Sequence, residues 1–69
     1  MTIGQSIRQH RNKLGISQLD LANMVGVHPV NISWWENDHV FPSILNTIGL
    51  ADAFGITIDE LVGRKVETK

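Results

Sequence analysis

The sequence predicts an all-α domain, a compact bundle of five short helices, and three observations carry that expectation. Five segments place apolar residues at helical spacing. Four of them open on a serine or threonine able to cap a helix, and four close on glycine, the residue favoured just past a helix C-terminus. Finally, the chain has 69 residues, is 42% apolar and contains no cysteine, so one small packed core must hold it.

The elements follow in order. Thr2 caps a first helix over 3–14, with Ile3, Ile7 and Leu14 at helical spacing, Arg8, Arg11 and Lys13 elsewhere, and Gly15 as its stop. Ser17 caps a second helix whose first turn holds Asp20, whose inner stripe is Leu21, Ala22 and Val25, and which Gly26 ends. His28 and Pro29 open a third. Proline suits the first helical position, where its missing N–H would be unpaired anyway. Ile32 and Trp35 share one side of this helix, Asn37 and Asp38 close it, and a loop runs to Pro42. Ser43 caps a fourth helix expected to turn Ile44, Ile48, Ala51 and Phe54 inward, with Gly49 a weak point inside it and Gly55 its end. Thr57 starts the fifth, with Asp59 and Glu60 in its first turn, Leu61 and Val62 inward, and Gly63 closing it. The expected domain is 1–63, followed by a polar tail over 64–69.

Composition narrows the function classes. No apolar run approaches the roughly 18 residues of a membrane span, and the first residues lack the plan of a secretion signal. A cytoplasmic protein is expected. His28 and His39, eleven apart, do not make a metal site, and no nucleophile–base set or glycine-rich phosphate loop is present. Neither a cofactor nor catalysis is expected. The formal charge is −1, from six basic and seven acidic side chains.

The informative stretch runs from Gln18 to Asn37. Two short helices that cross closely need a small residue at the crossing, here Ala22, and a glycine in the turn, here Gly26. Leu21, Val25, Val27, Ile32 and Trp35 supply the shared core. With this joint spacing the chain resembles the phage repressor and Cro-like helix-turn-helix family, the lambda-repressor-like fold. The resemblance covers about Ile3 to Val62 and extends to Ile7-Arg8, Arg11, Ser17-Gln18, Glu36, Pro42-Ser43, Ala51, Gly55-Ile56 and Asp59-Glu60-Leu61.

The resemblance implies a sequence-specific DNA-binding transcriptional regulator whose third helix lies in the major groove. It also implies a homodimer on a palindromic operator, with half-sites about 34 Å apart. His28, Pro29, Val30, Asn31, Ser33 and Trp34 then occupy the base-reading surface. Ser17, Gln18 and Asn37 fall where the family meets phosphate; apart from the resemblance, Arg8, Lys13, Arg64 and Lys69 are further cations that can reach phosphates at the rim. Arg11 and Glu36 match a pair tying the first helix to the end of the third; Arg11 is read as structural, with a phosphate contact as the alternative.

That surface departs from the family in carrying Pro29, Val30 and Trp34 where Arg, Lys, Gln, Ser or Thr are typical. Between Lys13 and Arg64 there is no lysine or arginine, while Asp20, Glu36, Asp38, Asp52, Asp59 and Glu60 add six negative charges. Phosphate neutralisation supplies most sequence-independent affinity, so an alternative function is a protein-interaction module that keeps the fold. Its partner would meet Val30, Trp34, Val40, Phe41 and Leu45. Trp34 has three readings: base contact, partner contact, or packing on its own loop. Val30 can meet a thymine methyl, and Asn31, Ser33 or His28 can hydrogen-bond base edges. His28 and His39 would add charge if phosphates kept them protonated.

Overall fold

The computed structural model describes residues 1–63; the polar tail expected over 64–69 lies outside the described residues. Among the described residues there are five helices and no strand: α1 (Ile3–Leu14), α2 (Gln18–Val25), α3 (Pro29–Glu36), α4 (Ile44–Phe54) and α5 (Ile58–Val62).

The caps stand where the sequence puts them. Thr2, Ser17 and Thr57 each accept a hydrogen bond from the backbone N–H three residues on, and Gln5, Asp20 and Glu60 reach back to complete capping boxes. Ser43 accepts from the Asn46 N–H. His28 caps α3 in an unexpected way, its Nδ1 accepting the Val30 N–H at 3.1 Å. Gly26 ends α2 in the left-handed conformation, φ 84°, which a β-carbon disfavours.

The core consists of Ile7, Leu21, Ala22, Ile32, Trp35, Leu50, Ala51 and Leu61, with Val25, Val27, Phe54 and others packed around it. α3 packs on both α1 and α2, and α4 on α1, α2 and α5, so α3 is held from behind by two helices.

Several inward expectations are corrected. Ile44 is 77% exposed and Ile48 39% exposed; α4 instead buries Thr47, Leu50 and Ala51. The segment is apolar on more than one side, so periodicity alone admits two stripes. Thr47 wins an inward place because its hydroxyl donates to the Ser43 carbonyl at 2.8 Å, which removes the cost of burying it. Gly49 is more than a weak point: an added β-carbon would lie 3.3 Å from Val25 Cγ1, so it permits the close approach of α4 to α2. Leu14 and Val62 face solvent, each at the end of its helix.

Candidate nucleic-acid interface

Glu36 ends α3 with its side chain fully buried, and a buried carboxylate must be paired. Arg11 binds it through Nε to Oε2 at 2.6 Å and Nη2 to Oε1 at 3.0 Å, while its Nη1 donates to the Ile16 carbonyl at 3.0 Å. Gln18 Nε2 donates to Oε1 at 3.2 Å and Arg8 Nε to the same oxygen at 3.3 Å. Burial opposes ionisation of Glu36, yet the hydrogen bonds from Arg11, Gln18 and Arg8 outweigh it and hold the carboxyl below its ordinary range. Donating to Glu36 raises the Arg11 guanidinium above its ordinary value, against the effect of burial.

This knot gathers several residues expected at phosphate. Arg8 also donates through Nη2 to Asn37 Oδ1 at 3.1 Å, and Asn37 Nδ2 donates to the Ser33 carbonyl at 2.9 Å. Arg8 and Gln18 are therefore joined through Glu36, and Asn37 through Arg8, at the seam of α1, α2 and α3. Ser17 stands apart at the N-terminus of α2, where its N–H donates to Asp20 Oδ2 at 3.1 Å. Asp20 thus places a carboxylate at the end of the helix that suits an anion. Lys13 is the one Lys or Arg without a carboxylate partner among the described residues. With Gln5, Arg8, Gln9 and Asn12 it lines an open trough of about 520 Å3 along α1.

On α3, His28, Val30 and Trp34 are exposed, whereas Pro29, Asn31 and Ser33 are half-buried. Because His28 Nδ1 accepts the Val30 N–H, that nitrogen carries no proton in this arrangement. The apolar residues expected at a partner surface divide in two. Val30 and Trp34 lie on α3, while Val40, Phe41 and Leu45 belong to the loop and the start of α4, joined there by Ile44.

Sequence reasoning missed Gly4 and Asp38. An added β-carbon on Gly4 would collide with the Trp35 carbonyl and lie 2.6 Å from Asp38 Oδ1 and 2.7 Å from the Glu36 carbonyl. Asp38, at φ 59°, accepts the Gly4 N–H at 3.0 Å and the Thr2 hydroxyl at 2.7 Å, clamping the start of α1 to the end of α3. The available signal was a glycine in the first turn of a helix, where propensity disfavours it.

The helix-turn-helix family model matches residues 7–61. Repressor protein C2 of Salmonella phage P22 is 40% identical over 60 residues, covering 87% of this chain and 28% of that repressor. The cryptic phage CTXphi transcriptional repressor RstR of Vibrio cholerae is 30% identical over 64 residues, 93% of this chain and 57% of its own length. The chain thus spans between a quarter and three fifths of these relatives. The crystal structure of the P22 c2 repressor with a synthetic operator, determined in the presence of Tl+, superimposes with a TM-score of 0.88. It is 37% identical and is covered for 98% of its length by 94% of this chain.

Proposed function

The chain belongs to the helix-turn-helix family, and on that premise we propose that residues 1–63 form the DNA-binding unit of a sequence-specific transcriptional regulator. In this reading α3 enters the major groove, α2 crosses the backbone, and the protein works in the cytoplasm as a binder rather than a catalyst. The observation that carries it is the likeness, at 37% identity and a TM-score of 0.88, to a repressor crystallised on its operator. The base-reading surface is Val30, Asn31, Ser33 and Trp34, flanked by His28 and Pro29. Ser17, Gln18, Asn37, Arg8 and Lys13 are the phosphate candidates, and the Glu36 knot pre-orients three of them.

A second copy completes the reading. Val40, Phe41, Ile44, Leu45 and Ile48 all face solvent, Phe41, Ile44 and Leu45 at 76–78% exposure. Such a set offers on the order of 600 Å2, so two copies face to face reach the lower bound of a specific interface. The same surface, with the missing cations, supports a protein-interaction module as the second reading.

Selection from a randomised duplex pool at low salt separates the two. Enrichment of a motif with two half-sites about 34 Å apart is expected. A pool that stays random, with the folded protein capturing another protein through Phe41 and Leu45, overturns the regulator.

A further inference from the structure

Asp38 is the one residue with a side chain in the left-handed region among the described residues, at φ 59°. It follows Asn37 in a turn that ties off the end of α3. The N–H groups of Asn37, His39 and Asp38 donate to the carbonyls of Ser33, Trp34 and Trp35 at 3.0, 2.9 and 3.1 Å. The Asp38 carboxylate then carries this turn across to α1, through the Gly4 N–H and the Thr2 hydroxyl. Two locally unfavourable choices, a glycine in the first turn of a helix and an aspartate at positive φ, thus meet at one contact. Such choices gather where the chain serves function rather than local preference. Helix α1 has its own capping box from Thr2 and Gln5, so it does not need Asp38 to start.

We propose that Asp38 is a positioning residue for DNA recognition: pinning the end of α3 to the start of α1, it sets the angle at which α3 meets the duplex. The inference rests on the regulator reading. The charge of Asp38 offers DNA nothing, because a carboxylate beside the phosphate candidate Asn37 repels phosphate. What Asp38 supplies is geometry. Its clamp fixes the turn that carries Asn37 and that holds the carbonyls of Ser33, Trp34 and Trp35.

The test compares Asp38→Gly with Asp38→Asn on the pool-selected duplex and on a scrambled one. Both variants lose the same charge, so both should bind the scrambled duplex more tightly by the same factor. Asparagine tolerates the left-handed backbone and keeps an acceptor for the Gly4 N–H; glycine adopts that backbone freely and offers no acceptor. The ratio of selected to scrambled affinity should stay within about twofold of wild type in Asp38→Asn. In Asp38→Gly it should fall about tenfold, the scale of one lost base contact. Thermal melts set an assay temperature at which each variant is folded, so lost stability alone leaves the ratio unmoved. Thr2→Asp is the second arm: it keeps a capping oxygen, cannot donate to Asp38, and its added charge acts on both duplexes alike. Its ratio should fall as well, and it decides alone where Asp38→Gly melts too low. A ratio unchanged in the folded clamp variants, or lowered equally in Asp38→Asn, overturns the proposal and leaves the regulator reading standing. A pool that enriches no motif overturns both.

Discussion

Arg11 and Glu36, 25 residues apart, are fastened by two parallel hydrogen bonds at 2.6 and 3.0 Å, with Glu36 sealed from solvent and Arg11 nearly so. Gln18 and Arg8 close on the same carboxylate, so one group couples α1, α2 and α3. Removing one partner of such a pair leaves a buried charge uncompensated. Arg11→Ala should cost about 3 kcal/mol, since buried pairs typically lose that much or more. In a domain this small the thermal midpoint should fall by at least about 12 °C. A drop of only a degree or two would show that Arg8 alone satisfies Glu36.

The same carboxylate sets a pH dependence. Glu36 gives up its proton at lower pH folded than unfolded, so the unfolded chain binds the extra proton as acidity rises. Its stabilisation is complete above about pH 5 and is lost as pH falls through the folded value. Glu36→Gln should therefore be clearly less stable at pH 7 and approach wild type in acid. Parallel melting curves across the acid range would refute this.

Substitutions at two glycines should differ for physical reasons that the sequence does not separate. Gly4→Ala, favourable by helix propensity alone, should destabilise by roughly 2 kcal/mol, because its methyl meets the carbonyls ending α3. At Gly26 the space beside the β-carbon is open, so only the positive φ resists a side chain and no crowding of the helix crossing arises. Gly26→Ala should cost about 1–2 kcal/mol and Gly26→Asn less. Denaturant midpoints measure all three; a stabilising Gly4→Ala would contradict the close approach.

DNA binding should depend weakly on salt for its family. Glu36 offsets one of the two charges of Arg8 and Arg11, and Lys13 is the one other Lys or Arg among the described residues, so few cations are available. The slope of log affinity against log salt should fall well short of that for about six phosphate contacts. Lys13→Gln should weaken every sequence alike. A steep slope, or one indifferent to Lys13, would place the phosphate contacts elsewhere.

Most of the fold was legible because its signals are local. Thr2, Ser17, Ser43 and Thr57 announce helix starts, and Gly15, Gly26, Gly55 and Gly63 announce ends, through chemistry confined to a few residues. α4 was misread because Ile44 and Ile48 form a stripe as regular as the buried one, and only packing chooses between them. The interface was half legible. Resemblance nominated its candidate residues, but Arg8, Gln18 and Asn37 are linked across up to 29 residues of chain, which no local pattern records. His28 as a cap was hidden because a ring nitrogen seldom takes the place of a serine oxygen.

The Asp38 clamp makes the Gly4 amide a reporter. Amides in the first turn of a helix ordinarily exchange with solvent deuterium through fraying, since they lack partners within the helix. Gly4 donates instead to a carboxylate 34 residues away, at the far end of α3, and is itself buried. Its exchange therefore requires α1 and α3 to separate. Protection at this one amide reads the opening energy of the whole seam rather than the looseness of a helix end.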